Sequence, residues 1–138
     1  MGQFTWHTGD MEVKMSWGHE IIRALLLALG TIEIITNTHH LLKKNGLQSA
    51  RKQHGELPPD RSDKQIRTKV ICMLSFGVIF FIVSLLSYIL HTYQQSVIFV
   101  SLCLFVIYGI TEALYYRFWK TFGFAFVTIV LFCVQFIK

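Results

Sequence analysis

The sequence predicts an all-α integral membrane protein, a single domain spanning residues 1–138 whose four transmembrane helices form a bundle. Two observations predict this fold class. Hydrophobic residues make up 53% of the chain and aromatic residues 14%, more than an ordinary soluble domain of this size carries. Residues 70–116 also contain a single charged side chain, that of Glu112. Because a helix needs about 20 apolar residues to cross the hydrocarbon, this interval holds two spans.

The predicted spans are residues 17–42, 70–90, 96–116 and 118–137. The first is the hardest to assign, because Glu20, Arg23 and Glu33 interrupt it. A soluble amphipathic helix would need a charged face, whereas Glu33 is the only charged residue between positions 24 and 38. Inserting a charged residue at a helix centre costs about 2.5 to 3.5 kcal/mol, which the surrounding Leu and Ile residues can offset. We therefore expect residues 17–42 to span the membrane.

The positive charge of the chain is concentrated in the loop of residues 43–69, which carries eight Lys or Arg against three acidic residues. Basic residues beside spans mark the cytoplasmic side, so we expect this loop to be cytoplasmic. Alternation then places the tail of residues 1–16 and the C-terminus outside. The location of the charge favours anionic lipid headgroups over nucleic acid as the partner. The predicted headgroup or partner contacts are Lys43, Lys44, Arg51, Lys52, Arg67 and Lys69.

Polar residues in the spans fall on narrow helix faces. At 100° per residue, Glu33, Asn37 and His40 lie on one face of the first span, while His39 points elsewhere. Faces of small and polar residues in the other three spans indicate that these faces turn inward in a compact bundle. The predicted candidates for proton or cation coupling are Glu33, Asn37, His40 and Glu112. The competing interpretation is structural, with Glu33 as a carboxyl that locks helices together.

Two further ion pairs are expected from neighbouring charges. Glu112 lies close in sequence to Arg117 and Lys120, which predicts pairing at the inner membrane surface. Glu20 and Arg23 are one helical turn apart and should pair at the outer surface. The histidines are scattered without metal-ligand spacing, and the three cysteines are expected to be packing residues. We therefore predict no metal, no cofactor and no catalytic residue.

Three functions remain open at this point. The first is a non-enzymatic accessory or structural subunit that associates with a membrane protein partner or with copies of itself. The second is a small oligomeric proton-coupled transporter or channel that uses Glu33. Four spans with an acidic residue in the first is a layout similar to that of small multidrug resistance exporters, although those have short loops and 27 residues separate the first two spans here.

The third function is enzymatic. The segment DKQIR, residues 63–67, resembles the start of the second-helix motif of membrane-associated glutathione and eicosanoid enzymes. That resemblance implies a thiol-ligand site involving Arg67. The next landmark of that motif is an Asn, and Ile71 occupies its place here.

Overall fold

The structure is a computed structural model that describes residues 4–8, 11–15 and 17–136, the first two segments as backbone only. Five helices make up most of it. They are α1 (Trp17–Leu42), α2 (Gly46–Gln53), α3 (Asp63–Ile89), α4 (Gln95–Tyr116) and α5 (Trp119–Val134). Two short strands, β1 (Phe4–Thr8) and β2 (Met11–Met15), pair antiparallel ahead of α1, with Phe4 opposite Met15. The helical fold class is thus confirmed, whereas the strand pair falls in the segment predicted only as a tail.

Three of the described helices, α1, α3 and α4, are long and apolar enough to cross a membrane. This supports the predicted membrane-protein class, and the charged first helix is one of the three candidate spans. The fourth predicted span, residues 118–137, is not confirmed as a full crossing, because α5 has 16 residues. At 1.5 Å per residue it is about 24 Å long, short of the roughly 30 Å of hydrocarbon. The side of the membrane on which each end lies stays a prediction.

The start of α3 and the end of α4 are each set by a local backbone feature. Ser62 caps α3 by accepting a hydrogen bond from the backbone of Gln65, whose side chain bonds back to the Ser62 amide. This capping box starts α3 seven residues before the predicted span at residue 70. At the other end of the hairpin, Arg117 terminates α4 with a left-handed backbone at φ 47°. The predicted reversal between the third and fourth apolar segments occurs at that residue.

Two glycines allow α1 and α3 to pack closely. A Cβ on Gly30 would lie 2.6 Å from the backbone nitrogen of Phe81 and 2.8 Å from the carbonyl oxygen of Gly77. A Cβ on Gly77 would lie 2.7 Å from the Cβ of Glu33. Helices in lipid associate through small residues that let their backbones approach, so this pair fixes where α1 crosses α3.

The same two helices are joined a second time near the start of α1. Arg23, only 3% exposed, pairs with Glu20 as predicted and donates a hydrogen bond of 3.1 Å to the carbonyl oxygen of Ser87. Ser84 donates in return to the carbonyl oxygen of Arg23. The serine face predicted to turn inward on α3 therefore contacts α1 directly.

Two apolar clusters fill the interior. The larger lies between the long helices, and the smaller lies where α2 and the loop after it cover the start of α3. The larger cluster is built on Ile22, Leu26, Met73, Phe80, Val83, Ile98, Leu102, Phe105 and Leu131, and the smaller on Ala50, Leu57, Ile66 and Val70. The loop of residues 43–69 is therefore packed onto one end of the bundle, which we call the loop end.

Replacing Gly30 with Ala tests the close helix crossing. The added methyl group meets backbone atoms that cannot turn aside, so we expect a loss of roughly 1 to 3 kcal/mol in the free energy of unfolding. Gly123→Ala is the matched control, because a Cβ at Gly123 meets no atom within 4 Å. Because Ala has a higher helix propensity than Gly, Gly123→Ala should raise the free energy of unfolding by up to about 1 kcal/mol. Thermal unfolding in detergent measures both, and equal behaviour of the two variants would contradict the crossing.

Candidate functional site

A buried ion pair joins α3 to α4 near the loop end. The amine of Lys69 lies 2.5 Å from Oε2 of Glu112, and the two residues are 2% and 6% exposed. The same amine lies 3.3 Å from Oε1 of Glu56 in the loop and 3.7 Å from the centre of the Phe124 ring on α5. Lysine and glutamate are almost never buried unless paired, so these contacts explain how both charges are accommodated.

Glu112 thus has a different partner from the one predicted. Its second oxygen, Oε1, accepts a hydrogen bond of 3.2 Å from the hydroxyl of Tyr108. Neither Arg117 nor Lys120 lies within ion-pairing distance of it among the described residues. The prediction of an interfacial pair with those residues is wrong, because Glu112 faces the neighbouring helix α3 rather than the turn that follows α4.

From Glu56 the polar contacts continue to α1. Nδ1 of His54 lies 3.3 Å from Oε1 of Glu56, and its Nε2 lies 3.1 Å from Oδ1 of Asn37. The Asn37 amide donates to Oε2 of Glu33 at 2.6 Å and to the Glu33 carbonyl oxygen at 2.8 Å. The polar network, as we call it, therefore runs through Glu33, Asn37, His54, Glu56, Lys69, Glu112 and Tyr108.

The orientation of Asn37 determines the protonation that His54 requires. Because the amide nitrogen of Asn37 donates to Glu33, its oxygen faces His54. Both partners of the imidazole, Asn37 Oδ1 and the Glu56 carboxylate, are then acceptors. Both contacts are hydrogen bonds only when each ring nitrogen carries a proton, which is the charged imidazolium.

When His54 is an imidazolium, the charges around Lys69 balance. Burial by itself raises the pKa of Glu56, but the hydrogen bond from His54 and the positive charge of Lys69 outweigh it and hold that pKa below its ordinary value. Glu56 is therefore ionised at neutral pH. Two cations, His54 and Lys69, then face two carboxylates, Glu56 and Glu112, and this part of the network has no net charge.

The structure places the predicted coupling residues in two groups. Glu33, Asn37 and Glu112 belong to the polar network, at its two ends. His40 does not join them, although it shares a helix face with Glu33. Its Nε2 instead lies 2.6 Å from Oε1 of Gln53 on α2.

Sequence reasoning missed His54 and Glu56 and misread Lys69. The first two lie in an irregular segment where helical periodicity gives no direction. Lys69, predicted to contact headgroups, is buried, so its amine is committed to the network instead. The sequence contains one indication of this burial, because Lys69 comes immediately before the apolar run that starts at Val70.

The other predicted headgroup contacts lie at the surface of the loop end. Lys43, Lys44, Lys52 and Arg67 are exposed. Arg51 is partly buried and holds the loop in place, donating to the carboxylate of Asp63 at 2.8 Å and to the carbonyl oxygen of Arg61 at 2.6 Å. Within residues 17–136, no group of three or more His, Cys, Asp or Glu side chains is arranged to hold a metal ion.

Comparison with family models, curated proteins and solved structures finds no match. The functional argument therefore depends on the geometry of this chain. Its most distinctive feature is a buried polar network built on the Lys69–Glu112 ion pair, beside a loop surface rich in exposed cations.

Removing one partner of the buried ion pair should destabilise the protein strongly. We expect Lys69→Met to cost about 3 to 5 kcal/mol, because it leaves the buried Glu112 carboxylate without its cation. Glu112→Leu should cost less, because Lys69 keeps its contact with Glu56. The double variant should cost clearly less than the sum of the two, and chemical unfolding in detergent measures all three. Lys120→Met is the control, since Lys120 is exposed. Additive losses, or an equal loss in the control, would contradict the pairing.

Proposed function

We propose that the protein is a non-catalytic accessory or structural subunit of a membrane complex. The observation that carries this proposal is the pairing of Lys69 with Glu112 inside one chain. Each charge neutralises the other across two helices, so both side chains serve to hold the bundle together. A bundle stabilised in this way can present an apolar outer surface to lipid or to another membrane protein.

The short helix α5 supports a protein partner. A membrane helix shorter than the hydrocarbon is accommodated by thinning the bilayer or by association with other helices. Helix α5 is about 24 Å long and carries a broad apolar outer face. On that face Phe122 is 51% and Phe126 is 66% exposed. We assign this face to the helices of the larger partner.

Co-purification tests this assignment. From native membrane in mild detergent, we expect the tagged protein to bring down a larger membrane protein in a fixed ratio. Phe122→Ala/Phe126→Ala should reduce that yield at least tenfold. Ile32→Ala/Ile35→Ala on α1 is the matched control, because those side chains are 54% and 64% exposed, and it should retain the partner. A wild-type protein that elutes alone as one homogeneous homo-oligomer, or equal yields from both variants, would refute the proposal.

Proton coupling is the second candidate, and the continuity of the polar network favours it. Hydrogen-bonding side chains connect Glu33 in α1 to Glu112 in α4 without a gap longer than 3.3 Å. Buried titratable groups in such a chain are the usual elements of a proton relay in membrane proteins.

Proton flux into liposomes decides this candidate. If Glu33 couples protons, Glu33→Gln should abolish flux and His54→Gln should reduce it by at least tenfold, because each change interrupts the relay. Lys120→Gln, outside the network, should leave the flux unchanged. If liposomes that contain the wild-type protein show no proton flux above that of protein-free liposomes, proton coupling is eliminated.

A further inference from the structure

A cavity of about 390 Å³ lies at the loop end of the bundle. It is formed where the end of α1, the start of α2 and the first turns of α3 meet. Its lining residues are His40, Leu41, Lys43, Lys44, Asn45, Leu47, Gln48, Asp63 and Arg67. We call it the basic cavity. It is separate from the polar network and takes no part in the proposed function.

Positive charge in the basic cavity is not neutralised by the chain itself. Lys43, Lys44 and Arg67 are exposed, and none has a carboxylate within 4.0 Å among the residues that the structure describes. The one acidic lining residue, Asp63, is bound by Arg51 at 2.8 Å. Three cations therefore line the cavity without an ion-pair partner among the described residues.

The start of α2 adds a second feature that fits an anion. Asn45, which precedes α2, makes no side-chain capping bond to the first turn of the helix. A helix start carries partial positive charge and attracts negative charge. The wall of the basic cavity therefore combines exposed cations with a helix start that has no side-chain cap.

The position of the basic cavity indicates a lipid rather than a soluble anion. The 27 residues of α3 measure about 40 Å, about 10 Å more than the hydrocarbon, and the charged end of the helix is the one that includes Asp63 and Arg67. Arg67 therefore lies at headgroup depth. Leu42, immediately before Lys43, is 82% exposed and offers an apolar surface beside the cations.

We propose that the basic cavity binds the phosphate of an anionic phospholipid. Lys43, Lys44 and Arg67 contact the phosphate, and the acyl chains lie along the exposed end of α1 at Leu42. The guanidinium of Arg67 matches two phosphate oxygens, while the lysines act as point charges. This gives the exposed cations of the loop a defined ligand in place of diffuse attraction to the membrane surface.

Titration in a zwitterionic detergent tests the proposal. Native mass spectrometry should show saturable binding of one phosphatidylglycerol and no saturable binding of phosphatidylcholine. At about fivefold per basic residue, Lys43→Gln/Lys44→Gln/Arg67→Gln should weaken phosphatidylglycerol binding roughly 100-fold or more. The control, Lys52→Gln/Lys64→Gln/Lys120→Gln, removes the same charge from exposed positions outside the cavity and should bind as the wild type does.

Each alternative has its own result. Equal weakening of phosphatidylglycerol binding in both triple variants would indicate general attraction to the charged surface and would overturn the cavity site. Equal binding of phosphatidylglycerol and phosphatidylcholine would show that charge plays no role. Inorganic phosphate that binds as tightly as the lipid and displaces it would make this a soluble-anion site. If the cavity variant unfolds, Arg67→Gln alone, checked by thermal unfolding, should weaken phosphatidylglycerol binding about fivefold. No loss of binding in that variant would overturn the proposal.

Discussion

The structure depends on the rule that a charge placed among apolar helices must find an opposite charge. Lys69 and Glu112 satisfy it for each other, although 43 residues separate them in the chain. Their pairing sets how α3 and α4 face one another. Glu56 reaches the same amine from the loop, so the loop folds over the end of the bundle. One interaction thus positions two helices and the connection that precedes them.

Close packing of α1 on α3 adds the second constraint. Gly30 and Gly77 let the two backbones approach, and this crossing places Glu33 and Asn37 where His54 can reach them. The glycines join α1 to α3 and the ion pair joins α3 to α4, so their combined effect is one connected polar network. Lys69 and Glu112 pair their charges inside that network, whereas the neighbouring loop surface keeps an excess of positive charge. The buried network therefore holds the helices together, and an anionic ligand can bind at the loop surface.

Patterns that depend on nearby residues could be predicted from the sequence. Apolar run length predicted α1, α3 and α4 as spans, and helical periodicity placed Glu33 and Asn37 on one face. The capping box at Ser62 is also local, since its partner is three residues away. The antiparallel strands before α1 had a signal too, because Gly9 and Asp10 between two alternating segments are typical of a hairpin connection.

What the sequence by itself determined is therefore the membrane class, the three long helices and the location of the positive charge. Tertiary structure alone decided the partner of Glu112, because sequence proximity pointed to Arg117 and Lys120 while the rotation of α4 points the carboxylate at Lys69. It also decided that His54 bridges α1 and the loop. Contacts between distant segments depend on helix rotation, crossing point and loop path, and no short stretch of residues encodes those quantities.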